Sequence, residues 1–333
     1  MASYFGKHIH VSVFGQSHAP AIGVTVDGLP AGEAVDLEEL QRFLQRRAPG
    51  RDAASTPRKE GDVPQILCGL VDGVTCGAPL AAVIENTNTR SKDYDELRDK
   101  PRPAHADFTA QVKYGGCQDV RGGGHFSGRL TAPLVFAGAV AKLILRERGV
   151  AVAAAVSNVA GIPDPTPEQM EQAVLAAKAD GDSVGGCIRC TVTGLPAGLG
   201  SPDFGCNVEG LFAQYLYAVP AVKAVAFGAG FGFAALRGSQ ANDPFYMEGE
   251  TVRTRTNRSG GVNGGITNGM PVEFEVCIRP TPSISLEQDT VDLERGCDAR
   301  LSIHGRHDPC IVPRAVVVIE AAAALASCAL LDL

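Results

Sequence analysis

Two identical runs, Gly-Leu-Pro-Ala-Gly at 28–32 and again at 194–198, constrain the fold of this chain more than any other feature. Each follows a strand-like alternation and leads into a helix-like stretch. Further along, Gly-x-Thr-x-Gly-x-Pro occurs at 73–79 and at 265–271, each time ahead of another strand-like run. A segment combining Arg, His and Asp comes next, "RPAHAD" at 102–107 and "GRHDPC" at 305–310, and then an apolar helix opening at Pro133 or Pro313. Four signals in the same order twice imply one domain built of two related halves, about 1–149 and 150–333, dividing near Gly149.

The remaining elements follow from local chemistry. Asp36 and Glu39 have capping-box spacing ahead of "LEELQRFLQRR", and Thr166, Pro167 and Gln169 predict a helix that stops at Gly181. Residues 133–146 and 316–330 are apolar on nearly all sides, which suits helices held between layers. Strands are predicted at "HIHVSVF", "IGVTV", "AAVIEN", "CIRCTVTG", "KAVAFG" and "VEFEVCI". They cluster instead of alternating strictly with helices, so the expected class is α+β, a layered β-α-β sandwich with apolar helices inside; a doubly wound parallel sheet is the alternative.

A net charge of -7 argues against nucleic-acid binding, which needs a basic face, so an anionic ligand must be caught by a local Arg cluster. The first residues alternate without a charged-then-apolar leader, and the most apolar window, 315–331, is interrupted by Glu320. Neither a secretion signal nor a membrane partner is expected. The ten Cys read as reduced thiols of a cytoplasmic protein. Cys187 and Cys190 form a C-x-x-C, but residues three apart on a strand face opposite sides, so no metal is expected there.

Four stretches concentrate polar chemistry: "FGQSHAP" at 14–20, "RPAHAD", "RGGGHFSGR" at 121–129 and "SIHGRHDPC" at 302–310. Consecutive glycines expose backbone N–H groups, and Arg121 and Arg129 flank them as an anion clamp; the structural alternative is a hinge before the apolar helix. The Gly/Asn-rich loop at 256–269 reads equally as a ligand loop or as a connection. His18, His105 and His307, each beside Ser, Pro, Gly or Asp, resemble parts of a general acid/base site. The same His residues with Asp308 could instead ligate a metal in a phosphohydrolase. A non-catalytic anion-binding scaffold is the third reading.

Taken together, these motifs resemble the chorismate synthase family over nearly the whole chain. "FGQSHAPAIGVTVDGLPAG", "RPAHAD", "DVRGGGHFSGR", "DSVGG", "VPAVKAVAFG", "GGVNGGITNG", "RPTPSI" and "GRHDPC" all correspond in order. The resemblance implies a lyase of the shikimate pathway that converts 5-enolpyruvylshikimate 3-phosphate to chorismate and phosphate by 1,4-anti elimination. It also implies reduced FMN as cofactor, with NADPH a candidate reductant, a homotetramer, and helices sandwiched between antiparallel sheets with internal two-fold repetition.

The resemblance implies catalytic roles for His18 at the leaving phosphate, His105 at the flavin's pyrimidine edge, and Asp308 in removing the ring proton, with Ser17 and Ser127 nearby. Flavin contacts would fall to His125, Phe126, Ser127, Gln240, Ala241, Gly264, Arg279, Pro280, Thr281, Pro282, Ser283 and Arg306. The phosphorylated substrate's anions would fall to Arg47, Arg102 and Arg129. The chain departs from the family pattern at Gln16 (Glu), Ala19 and Ala104 (Gly), Ala48 and Ala53 (Arg), His125 (Arg) and Arg279 (Lys).

Overall fold

The computed structural model describes residues 8–48, 50, 61–87, 97–303 and 308–333. In the first half come β1 (His10–Gly15), β2 (Ala21–Asp27), α1 (Leu37–Arg47) and β3 (Pro64–Cys68). A small hairpin of β4 (Leu70–Val71) and β5 (Val74–Thr75) precedes β6 (Leu80–Glu85), and α2 (Asp107–Tyr114) and α3 (Thr131–Arg146) follow. The second half has β7 (Ala151–Val159), β8 (Ile162–Pro163), α4 (Pro167–Ala179), β9 (Gly186–Thr193), α5 (Val208–Tyr217) and β10 (Val222–Phe227). Then come α6 (Gly238–Ala241), a hairpin of β11 (Phe245–Glu248) and β12 (Thr251–Thr254), and another of β13 (Val262–Asn263) and β14 (Ile266–Thr267). β15 (Val272–Ile278), the β16 (Gln288–Asp292) and β17 (Cys297–Leu301) hairpin, and α7 (Val312–Leu330) complete the chain.

The two main sheets are laid out alike. One runs β1-β2-β6-β3 and the other β7-β9-β15-β10, with β8 added beyond β7, and every pairing among the described residues is antiparallel. Even the register agrees: Val26 faces Leu80 in the first sheet and Val192 faces Val272 in the second. This is the expected α+β sandwich, and the parallel alternative is set aside.

The repeated motifs persist because they clasp each other. Thr75 donates its hydroxyl to the Pro30 carbonyl at 2.6 Å, its carbonyl accepts from Gly32 N–H at 2.8 Å, and its N–H bonds Glu33 O at 2.9 Å. Thr267 repeats the set with Pro196 at 2.7 Å, Gly198 at 2.8 Å and Leu199 at 2.9 Å. The position calls for a short side-chain hydroxyl, which reaches the turn carbonyl while the strand backbone stays paired.

Between the sheets α3 packs on α7, α1 flanks α3 and α5 flanks α7. The apolar all-round pattern of both central helices is thereby explained: residues 130–141 of α3 and its lead-in, and residues 317–328 of α7, are buried. Both are long and apolar enough to cross a membrane, but they lie in the protein interior. The helix starts follow the expected chemistry. Asp36 accepts from Glu38 N and Glu39 N at 2.9 Å, and α4 has a reciprocal capping box between Thr166 and Gln169. Cys190 is in the core and Cys187 is half-buried opposite Cys277, on the other face of β9; burial pushes the Cys190 thiol well up.

One charge interrupts the apolar layer. Glu320 of α7, 3% exposed, accepts from Arg46 at 2.6 and 2.9 Å and from Lys142 at 2.6 Å, while both cations also lie over the Phe43 ring. Burial opposes its ionisation, yet the Arg46 and Lys142 contacts prevail and hold its carboxyl below the ordinary range. A depressed carboxyl contributes stability above its unfolded value near 4.5 and loses it as pH falls through the folded value. Glu320→Gln is therefore expected to cost about 1–2 kcal/mol at pH 7, discounted because both cations are part-exposed, with the gap to wild type closing on acidification. Urea melts of both proteins from pH 7 to pH 3.5 check this; a gap that stays constant with pH refutes it.

Candidate active site

A cavity of about 280 Å³ opens where loops from both halves converge. Arg47 enters from the last turn of α1, Arg102 and His105 from the turn before α2, and Gly122 with residues 126–129 from the loop before α3. The second half supplies residues 219–221 ahead of β10, residues 279–283 after β15, and Asp308, Ile311 and Arg314 at the start of α7. Five arginines and one aspartate line it among the described residues, in a chain that is acidic overall. That concentration marks an anion site.

The Arg102 group is the most tightly tied. Asp107 accepts from Arg102 Nε at 2.7 Å and Nη2 at 2.9 Å, and Arg102 Nη1 reaches Ser283 Oγ at 3.2 Å. His105 Nδ1 lies 2.6 Å from Asp107 Oδ1, a distance that assigns the Nδ1 proton to this bond and leaves Nε2 as the acceptor of a neutral ring. Burial lowers the His105 pKa despite the neighbouring carboxylate, so the ring is neutral at pH 7. Burial also raises the cost of ionising Asp107, but the Arg102 hydrogen bonds outweigh it and hold that carboxyl far below its usual range.

A second group surrounds Asp62. This fully buried carboxylate accepts from Arg47 Nη1 at 3.0 Å and, through its other oxygen, from Arg129 Nη1. Arg129 also donates to Asn86 Oδ1 at 3.0 Å and to the Glu85 carbonyl at 3.2 Å. A third group joins Arg314 Nη1 to Asp308 and Arg314 Nε to the Arg47 carbonyl at 2.9 Å. Arg279 donates to the Ala104 carbonyl at 2.5 Å; Ala104 has φ +57°, a left-handed conformation that costs an alanine what a glycine would not lose.

Comparison with known proteins gives this architecture its relatives. A chorismate synthase family profile matches residues 9–331. The chain belongs to the chorismate synthase family. It is 48% identical to a chorismate synthase of Chitinophaga pinensis (97% of this chain, 94% of that protein) and 45% identical to one of Thermococcus kodakarensis (96% and 94%). A crystal structure of chorismate synthase superposes with a TM-score of 0.74 at 25% identity, covering 98% of this chain and 92% of that one. Family membership makes the chain a lyase of the shikimate pathway.

Of the residues that the chorismate synthase resemblance singled out, the cavity wall brings together Arg47, Arg102, His105, Phe126, Ser127, Arg129, Arg279, Pro280, Thr281, Pro282, Ser283 and Asp308. Six others are not on that wall. Ser17 and His18 pack against Gly122, which is on the wall: Ser17 Oγ bonds His18 Nδ1 at 3.0 Å and the Arg121 carbonyl at 3.1 Å, and a side chain on Gly122 would collide with His18. His125 stacks on Phe126 with ring centroids 4.0 Å apart. Gln240 and Ala241 lie in α6, where Gln240 caps the helix through Arg237 N–H at 3.0 Å, and Gly264 turns the β13–β14 hairpin. Arg306, His307 and Ala53 lie outside the described residues.

Sequence reasoning assigned no role to Asp62, Asn86, Asp107 or Arg314. Asp62 and Asn86 carry no local signal, being single polar residues at strand boundaries. Arg314 does have one: it is the sole cation in α7, whose other charged residue is Glu320.

Proposed function

We propose that this chain converts 5-enolpyruvylshikimate 3-phosphate to chorismate and phosphate by 1,4-anti elimination with reduced FMN in the cavity. The observation that carries the reading is a cavity with five arginines around a neutral His105 and the Asp308 carboxylate, in a chain of this family. The wall also fits a flavin. Phe126, Pro280 and Pro282 offer apolar surface, and the buried Thr281 hydroxyl has no hydrogen-bond partner among the described residues. Residues 126–127 and 279–283 would hold the ring system, with His125, Gln240, Ala241, Gly264 and Arg306 as further proposed contacts.

Bound reduced FMN would supply electron density as the allylic phosphate departs. Arg47 and Arg129 would hold substrate anions, and Arg102, occupied by Asp107, would fix His105 and add its field. His105 would stand at the cofactor's pyrimidine edge and support its protonation state, His18 with Ser17 would protonate the leaving phosphate, and Asp308, set by Arg314, would take the ring proton. Ser127 would stand by the reacting groups.

The test is anaerobic turnover with pre-reduced FMN, repeated with oxidised FMN plus NADPH and again with a chelator. Chorismate formed only with reduced flavin and unaffected by chelator supports the lyase. Metal-dependent phosphate release that ignores flavin would instead establish the hydrolase reading. NADPH turnover with oxidised FMN would add flavin reduction to the chain's own activities.

Arg129→Ala is expected to weaken binding of the phosphorylated substrate at least about tenfold more than that of its dephosphorylated analogue, because a charge-assisted pair loses its partner. Calorimetry with both ligands checks this, and equal losses would take Arg129 off the phosphate. The reading also carries a cytoplasmic homotetramer that binds neither nucleic acid nor membrane. Exposed Phe231, Phe245 and Met247 support self-association. Light scattering at micromolar concentration should return four times the chain mass; a monomer refutes it.

A further inference from the structure

Asp62 is out of place by every local criterion. Its side chain is 0% exposed, its φ is +45°, and it faces two guanidinium groups whose own side chains are 3% and 6% exposed. Arg47 and Arg129 both line the cavity, whereas Asp62 does not, so the carboxylate grips them from the side away from the ligand space. Around it runs a continuous polar chain. Asn86 donates to the carbonyls of Gln16 at 3.0 Å and Ala19 at 2.8 Å, on the loop carrying Ser17 and His18, and accepts from Arg129. Arg129 meets Asp62, Asp62 meets Arg47, and the Arg47 carbonyl receives Arg314, which holds Asp308.

We propose that Asp62 is a positioning residue that holds Arg47 and Arg129 at one separation and limits their joint charge to +1, making a cradle selective for a large phosphorylated or carboxylated substrate over a small free anion. Two buried cations without a shared carboxylate would repel each other and drift apart. Held together, they present a preset spacing, and an extended polyanion gains from preset spacing what it would otherwise lose in ordering two long side chains. A small ion such as inorganic phosphate needs no fixed spacing. It gains most from raw positive charge, which Asp62 reduces. Limiting the charge also serves release, since phosphate is a product in the reading given above, on which the substrate half of this proposal rests.

Asp62→Asn tests it. Asn tolerates a left-handed φ, but its single acceptor oxygen keeps only one of the two arginines and its charge is gone. Two effects of opposite sign are expected. The KM for 5-enolpyruvylshikimate 3-phosphate should rise at least about tenfold with kcat changed less than about threefold, because positioning is lost and the reacting groups are kept. The dissociation constant for inorganic phosphate, by calorimetry at low salt, should fall at least about fivefold, because the cradle's charge rises from +1 to +2. FMN affinity should stay within about twofold.

A merely structural Asp62 would weaken phosphate, substrate and FMN in parallel, and that outcome overturns the proposal, as does a phosphate affinity unchanged within twofold. If the Asn variant does not fold, Asp62→Glu keeps the charge while pushing the arginines apart. It should raise KM at unchanged phosphate affinity, and a wild-type KM there overturns the proposal. Should the wild type make no chorismate, the functional reading fails by itself, and the phosphate arm still decides the role of Asp62.

Discussion

Asp308→Asn is expected to lower chorismate formation by about 100- to 10,000-fold while FMN binding survives. The side chain is 9% exposed, lines the cavity and is held by Arg314 from the first turn of α7, so the amide can keep the size, the place and one acceptor oxygen. What it cannot keep is the ability to take a proton. If Asp308 served only to tie the chain entering α7 to Arg314, the change would cost about 1–2 kcal/mol of stability and leave turnover close to normal. The two readings thus separate on rate, not on fold. FMN fluorescence quenching, followed by anaerobic turnover with reduced flavin, makes the measurement. Near-normal turnover with intact binding would return Asp308 to a structural role and leave Arg314 without a catalytic client.

The largest stability effect is expected at Gly138, where α3 crosses α7. A Cβ added there would overlap both Cα and Cβ of Ala321, well inside contact distance, and the position is buried in the middle helix layer. Gly→Ala within a helix ordinarily gains about 1 kcal/mol from propensity. Here the two helices would have to move apart where Gly138 meets Ala321, and overpacking costs about 1–3 kcal/mol or more. Gly138→Ala should therefore be destabilising by about 2 kcal/mol net, and Gly138→Val by more than about 4, which would leave little folded protein. Urea midpoints decide it, and a Gly138→Ala variant as stable as wild type would refute the close crossing. Ala321→Gly in the same background should restore only part of the loss, because the Ala321 Cα remains in the way.

Part of the site could be read before any fold was known. Arg102, His105, Arg129 and Asp308 sit in stretches too rich in Gly, Pro, Arg and His to be ordinary connections, Arg47 at the end of α1 is singled out only by the family resemblance, and all five line one cavity. The relation of His18 to that cavity could not be read. It depends on where the glycine loop 122–124 lies, and three consecutive positive φ values are a choice among many that glycine allows. Some strands were equally hidden. β7, "AVAAAVSNV", has four alanines in nine residues, so its alternation carries little contrast, and pairing with β9 makes it a strand.

The sequence by itself determined the doubled architecture and the buried pair of apolar helices. Capping chemistry such as Asp36 against Glu39 N–H, and hydrophobicity on all sides of a helix, act over a few residues and are written locally. Only the tertiary structure decided which charges meet. Asp62 lies 15 residues from Arg47 and 67 from Arg129, and Arg46 lies 274 from Glu320. A lone charge in a sequence reads as a solvated surface group. Its burial becomes tolerable only when folding delivers an opposite charge from a distant loop, and no local pattern records that meeting.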